Sequence, residues 1–571
     1  MSGPRGGPAA VYDYLVVGAG SAGCVLAARL SEAPGVRVCL VEAGPADDDE
    51  NVHVPLGAGR LFRTRLDWDY DTHDEPFLGG RRLYLPRGRV LGGSSSMNGM
   101  VYMRGHRSDY DGWGLPGWTF DDLLPYFIRS EDNERGRSPV HGAGGPLSVS
   151  EGRSRNPMST AFVEAAVQAG HTAVDDFNDP DVREGFGLYQ VTQRDGRRCS
   201  NATAFLRPAL ERPNLTVETN LQVHRIVVEG GRARGVAGAR LDEAVELRAE
   251  REVIVCTGAY NSPQLLMLSG IGPADELREL GIPVVADLPM VGRNLQDHPS
   301  ANLVFAHSRP VSLLIADGAE HVRRFAEEGA GPLASNVPEA GGFARSRSGP
   351  APDLQFHASP LMLLDVGLAA PTDHAISFGP CVLGARSRGS VTLASPDPTA
   401  KPRIRHAYYG DGDGADLATL VAGLRMALEI SRQAALAAYT EKPHLVPESD
   451  GEADLRDYAR RCTQTLFHPA GTCAMGTVLD AGLRVLGVEA LRVVDASVMP
   501  TLVRGNPNAA VTSIAERAAD LVRGTASVPG TVSVHNTASV HNTAPGRGVT
   551  GSGTAPAAGA AVRGGAAGSP V

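Results

Sequence analysis

Lysine is almost missing from this chain: Lys401 and Lys442 are the only two, and arginine supplies the rest of its 54 basic residues. With alanine, glycine and proline abundant, that bias reads as the codon usage of a GC-rich genome and says nothing of function. The formal net charge is −10 and no dense Arg/Lys stripe could neutralise phosphates, which excludes a nucleic-acid partner. Cysteine is sparse, scattered and odd in number (Cys24, Cys39, Cys199, Cys256, Cys381, Cys462, Cys473), with no Cys-x-x-Cys pair. That excludes a disulfide scaffold and a zinc site, predicts a reduced protein, and leaves no metal expected. No secretory leader opens the sequence and its first apolar run, residues 11–17, is too short to span a bilayer, so the expected compartment is the cytoplasm. Aromatic residues make up only 5%, which argues against an aromatic cage for a quaternary ammonium. After Gly524 the chain has no Leu, Ile, Met or aromatic residue and almost no charge, so residues 524–571 are expected to form a disordered tail. A hexapeptide at 533–538 recurs at once in this tail, and its paired His535 and His541 read as solvated rather than metal-binding.

What is present starts with length: 571 residues exceed what one hydrophobic core usually supports, and 42% hydrophobic with 21% charged residues is ordinary for a folded soluble chain. Residues 11–42 read as strand, glycine turn, helix and strand, with Gly18-Ala19-Gly20-Ser21-Ala22-Gly23 between the first strand and a helix running to about Ser31. Absent Cβ atoms there let backbone amides approach a pyrophosphate at the positive end of the helix. Glu42 ends the second strand, where a carboxylate can accept from both ribose hydroxyls and disfavours a 2′-phosphate, making NADP the poorest dinucleotide candidate. NAD and FAD share this fingerprint. Further on, residues 121–130 predict an amphipathic helix, residues 252–256 a strand, and Ser262-Pro263 the cap and start of a helix carrying Leu265, Leu266 and Leu268. Residues 300–460 are less regularly patterned and are the candidate substrate-facing portion.

The choice of dinucleotide turns on a second loop, Gly88-Arg89-Val90-Leu91-Gly92-Gly93-Ser94-Ser95-Ser96-Met97-Asn98-Gly99 followed by Met100 to Gly105. Its glycines and hydroxyls can hold an anion, and Asn98 offers an amide beside a heteroaromatic ring. This segment and a later one, residues 258–272, resemble the two signatures of the glucose-methanol-choline oxidoreductases. Blocks at 280–284, 291–299, 467–473, 494–500 and 506–508 stand in that family's order, so the resemblance covers roughly residues 11–523.

The resemblance implies an α/β fold: a Rossmann-type FAD-binding domain (11–155, 210–300 and 460–523) interleaved with an α+β substrate domain of antiparallel sheet and helices (156–209 and 301–459). It implies FAD held at its ADP part by Gly18, Gly20, Ser21, Glu42 and the backbone of Val223, and at its flavin end by Trp68, Val90, Asn98, Gly99, Met100, Val101, Asp495, Ala496 and Asn506. Some members bind FAD covalently through a His just before the loop Asn; Met97 stands there and cannot form that bond, so noncovalent FAD is expected. The catalytic base implied is His468, biased to an extended conformation by Pro469, with Asn506 as its partner and Asn508 as the alternative if the Asn-Pro-Asn run is read two residues later. An unperturbed imidazole, near about pH 6.5, could accept an alcohol proton. His298 is assigned to packing or cofactor support. The implied activity is hydride transfer from a small-molecule alcohol to the flavin, with oxygen or another carrier as final acceptor, and residues 187–193 resemble the bacterial choline dehydrogenase-like subgroup. Two alternatives stay open: light-driven fatty-acid decarboxylation using Cys381 and Arg386, and flavin binding without turnover.

Overall fold

The computed structural model describes residues 10–180 and 184–528. Strand Ala10–Val17 is buried from Asp13 onward because it has a parallel neighbour on each side, Val38–Val41 and the second half of Glu243–Val255, and both faces of the sheet are covered. The parallel strands lie in the order Leu215–Glu218, Val38–Val41, Ala10–Val17, Glu243–Val255, Leu491–Val493. In chain order that is 3-2-1-4-5, the doubly wound arrangement whose ligand crevice opens at the carboxyl ends where the order reverses, between Val17 and Val255.

Glu243–Val255 begins nine residues before the expected strand at 252–256. Its first half pairs antiparallel with Arg232–Arg240, which pairs in turn with Gln222–Glu229. The run is dense in charge and therefore looks like a loop, but Leu247 and Ala249 are buried while Glu246 and Glu250 are exposed and Arg248 pairs with Glu229: a period of two with its charges on the solvent side.

The other sheet is antiparallel, in the order Lys442–Leu445, Leu303–Ala306, Ala375–Val382, Leu354–Ser359, Ala340–Ala344, Gly185–Leu188. Helices Pro157–Gln168, Ala415–Ser431 and Glu452–Cys462 pack on it through a core that includes Phe162, Phe186, Phe356, Phe378 and Leu424. This is the α/β plus α+β architecture that the resemblance implies.

Several boundaries move. Cys199, Ala202, Phe205 and Ala209 pack in the core of the parallel sheet, so the segment after about residue 198 belongs with that sheet and not with the substrate side. Conversely, the short strands Pro299–Ser300 and Gln464–Thr465 pair with each other and join the antiparallel sheet through Ala375–Val382. Val528, in the segment expected to be tail, is buried; residues 529–571 of that segment, with His535 and His541, lie outside the described residues. No described helix is long and apolar enough to cross a membrane, and no described cluster of His, Cys, Asp and Glu could hold a metal.

The helix expected to start at Ser262-Pro263 starts at Gly258 and runs to Leu268, with Pro263 inside it. Pro263 has no N–H for the carbonyl of Ala259, one turn earlier, and the Thr472 hydroxyl donates to that oxygen instead, at 2.6 Å. Ser262 does not cap; its hydroxyl donates to Asp495 at 2.5 Å. Thr472 is fully buried, so Thr472→Val should strand that carbonyl and lower stability by about 1–3 kcal/mol in urea unfolding. An unchanged midpoint would mean that the carbonyl finds another donor.

Candidate functional site

Two glycine loops meet at the switch point. The amide of Gly92 donates to the carbonyl of Ala19 at 2.7 Å. Gly93, at φ +54°, lies so close that a Cβ on it would sit 2.7 Å from the Cα of Gly20. Likewise a Cβ on Gly23 would come within 1.9 Å of the Gly18 carbonyl, so the helix can seat against the strand end only with glycine there. Helix Ser21–Leu30 has no side-chain cap at Gly20, and helix Asn508–Arg523 has none at Pro507. Both amino ends face one cavity of ≈ 490 Å³ and leave unbonded backbone amides toward it, a setting that fits a pyrophosphate.

Gly18, Gly20, Ser21, Glu42, Trp68, Asn98, Gly99, Met100, Val101, Val223, Asp495, Ala496, Asn506 and His468 all line this cavity. Val90 does not: its side chain packs among Val52, Leu61, Leu66 and Met97, because the loop turns it inward beneath Gly92 and Gly93. Glu42 accepts from the amides of Ala19 (2.8 Å) and Gly44 (2.9 Å), while burial pushes its carboxyl up to about 7. Each oxygen keeps a lone pair for a ribose hydroxyl. Asp495, raised by burial, accepts from the Gly258 amide at 2.8 Å and so caps the helix that Pro263 interrupts.

At the loop carrying Asn98 lies a residue that the sequence reading missed. Arg198 is buried with no carboxylate partner; it donates to the carbonyls of Val52 (2.9 Å), Ser95 (3.2 Å) and Asn98 (2.7 Å) and to Asn98 Oδ1 (2.8 Å), and burial lowers its pKa to about 9. Met100 N also donates to that Oδ1, at 3.1 Å, so what Asn98 has left for a ligand is its NH₂ group.

At the far end His468 lies between three partners. Its backbone amide donates to Asp297 Oδ1 at 2.8 Å, its Nδ1 lies 3.0 Å from His298 Nδ1, and its Nε2 lies 3.2 Å from Asn506 Nδ2. Asn506 Oδ1 accepts from Gln355 Nε2 at 3.1 Å, so the Asn506 amide donates to His468 Nε2, which therefore carries a lone pair. The ring proton is on Nδ1 and goes to His298, whose own proton is then on Nε2, an atom with no protein partner among the described residues. His357 Nε2 is unpartnered too, and His357 lines the cavity. Phe467, at φ +66°, is a bulky residue in the left-handed region, held by Thr465 Oγ1 (to its amide, 2.7 Å) and Arg87 (to its carbonyl, 2.9 Å). Strain of this kind persists only where the surroundings impose it.

His298, assigned in advance to packing or cofactor support, is thus a direct partner of the His468 ring. Asn508 is elsewhere: its Oδ1 accepts from Ser21 Oγ at 2.7 Å. Cys381 is buried within the antiparallel sheet, Arg386 pairs with Asp413 at the surface, and neither lines the cavity. Burial drives His468 well below the ordinary 6.5, helped by repulsion from His298 and His357, which burial takes to about 4. His141 goes the other way, raised to about 9 by Asp176 and Glu131.

The chain matches the family models described as GMC oxidoreductase over residues 12–300 and 385–515. It is 43% identical over 542 residues to the mitochondrial choline dehydrogenase of Homo sapiens, covering 90% of each chain. It is 41% identical to an alcohol dehydrogenase [acceptor] of Pseudomonas putida, covering 90% of this chain and 96% of the relative. Among solved structures, pyridoxine 4-oxidase from Mesorbium loti superposes with a TM-score of 0.82 at 33% identity, covering 90% and 99%.

Histidine ring resonances of ¹⁵N-labelled protein should show His298, His357 and His468 neutral from pH 6 to 8 and His141 protonated throughout. A midpoint above pH 6 for His468 would contradict the burial argument.

Proposed function

This chain belongs to the GMC oxidoreductase family, and we propose that it oxidises small-molecule alcohols with His468 as the general base and Asn506 holding the substrate oxygen. It is an oxidoreductase acting on CH–OH groups, with FAD as its cofactor. Bound FAD supplies the acceptor for the hydride leaving the alcohol carbon. The glycine loops, the two uncapped helix ends, Glu42 and the NH₂ of Asn98 are the groups that hold it, and Met97 offers no covalent link.

The observation that carries the proposal is the 3.2 Å approach of His468 Nε2 to the Asn506 amide at the end of the cavity, an arrangement that fits a lone pair on Nε2. A hydroxyl entering beside both displaces the Asn506 N–H from Nε2 and donates its own proton to that lone pair, while the released Asn506 N–H donates to the hydroxyl oxygen. As His468 becomes positive, its Nδ1–H stays bonded to His298, which keeps the ring oriented. A neutral resting base is what the reaction needs, and burial secures it. Photodecarboxylation loses its support with Cys381 and Arg386 outside the cavity. Binding without turnover sits poorly with an assembled base and amide. A reducing compartment, the cytoplasm, is proposed alongside, on the seven free cysteines.

His468→Ala should keep its FAD yet reduce it anaerobically about 10²–10⁴-fold more slowly, and a rate within about threefold of wild type would remove His468 as the base. Asn506→Ala should lose less, about 1.5–3 kcal/mol of barrier, whereas Asn508→Ala should loosen FAD and spare the rate of the loaded protein. The wild-type reduction rate should be flat above pH 6.5 and fall only below it, as protonation removes the lone pair, and that limb should vanish in His468→Ala. Acid precipitation should release all the FAD.

A further inference from the structure

The charges around the cavity are unevenly placed. Among the described residues its only carboxylates are Glu42 and Asp495. Both belong to the dinucleotide end, and both are engaged by backbone donors at Ala19, Gly44, Gly258 and Ser497. At the base end the one fully charged side chain on the wall is a cation, Arg87, bonded to the Phe467 carbonyl beside His468. Asp297, the carboxylate behind His468, does not line the cavity; Tyr408 and Thr465 donate to one oxygen, each at 2.5 Å, and the His468 amide to the other. Asp365, next to lining residue Val366, is exposed and is not among the residues that line the cavity.

The floor beyond His468 and Asn506 is the antiparallel sheet, which presents Ser300, Asn302, His357 and Ser359, all uncharged. The walls are Phe62, Leu361, Leu363, Val366, Leu466 and Phe467. Aromatic faces cannot replace the missing carboxylate. Trp68 is stacked on Tyr70 at 5.9 Å with the Arg89 guanidinium 5.1 Å from its ring, and Tyr260 is engaged by Tyr70 and His406. Two phenylalanines remain, too few to enclose a trimethylammonium group.

We infer that the alcohol taken by this site is uncharged, with an aliphatic chain lying along the leucine and phenylalanine walls, and that choline is rejected in spite of the 43% identity to a choline dehydrogenase. A fixed cation in this arm would be buried without a counter-ion and beside Arg87, whereas a hydrocarbon chain gains with each methylene it buries. The inference rests on the reading of His468 and Asn506 as an alcohol-oxidising pair.

The test uses the FAD-loaded protein at pH 7 under anaerobic conditions, following loss of oxidised-flavin absorbance. Choline is compared with 3,3-dimethylbutan-1-ol, which has its shape with carbon in place of the charged nitrogen, and with the straight-chain alcohols from ethanol to octan-1-ol. The neutral isostere should react with a second-order rate constant at least about 100-fold above that of choline. The straight-chain series should rise about fourfold per methylene until the arm is filled. Choline reacting within threefold of its isostere, or faster, would overturn the inference while leaving alcohol oxidation standing. A flat series would overturn the aliphatic arm. Failure of every alcohol to reduce the flavin would overturn the functional reading itself, and the inference with it.

Discussion

The base end of the cavity is held by a carboxylate that never reaches it. Asp297 gathers the His468 amide, the Thr465 hydroxyl and the Tyr408 hydroxyl, groups from two separate stretches of chain. A buried carboxylate needs such donors, because leaving its charge unsatisfied would cost several kcal/mol. Around it the strands Pro299–Ser300 and Gln464–Thr465 pair, the Leu466 amide donates to the His298 carbonyl at 3.1 Å, and the two imidazoles are brought face to edge. The unfavourable backbone of Phe467 follows from that grip: with Thr465 and His468 both fixed on Asp297, the two residues between them have little freedom left.

These strands are also where the two sheets meet, which explains why the boundaries drawn from sequence fail at 300 and 460. The parallel sheet supplies the glycine loops and helix ends at the dinucleotide end, and the antiparallel sheet supplies the uncharged floor beyond His468 and Asn506. His298 and His468, placed at the seam, belong with both. An assignment that separates the halves in sequence has to cut through the seam, and the cut falls beside His298 and again just before His468.

What the sequence made legible is what backbone geometry forces onto residue type. Gly18 to Gly23 and Gly92-Gly93 can be read because no other residue permits the approaches found there, and Glu42 because it lies at a fixed distance along a βαβ unit. His468 and Asn506 came from the resemblance, and the Asn-Pro-Asn ambiguity resolves only in space, where one amide meets His468 and the other meets Ser21. Arg198 and the His298 contact were illegible because each depends on partners about a hundred residues or more away. Pro263 misled for a related reason: proline marks a helix start only when no distant hydroxyl serves the orphaned carbonyl, and Thr472 does.

Arg198 and the histidine cluster are both buried beside the cavity, and their placement is complementary. Arg198 brings an uncompensated cation to the loop of Asn98, where it organises carbonyls and leaves an N–H donor facing the cavity. The histidine cluster carries no charge at rest but gains one when His468 takes a proton. A fixed carboxylate in the substrate arm would raise the pKa of His468 and favour its protonated form, which cannot act as the base. The low pKa of His468, held down by burial, by the neighbouring imidazoles and by Arg87, goes with the lack of a carboxylate at this end of the cavity among the described residues, and the inferred rejection of a cationic substrate rests on that same lack.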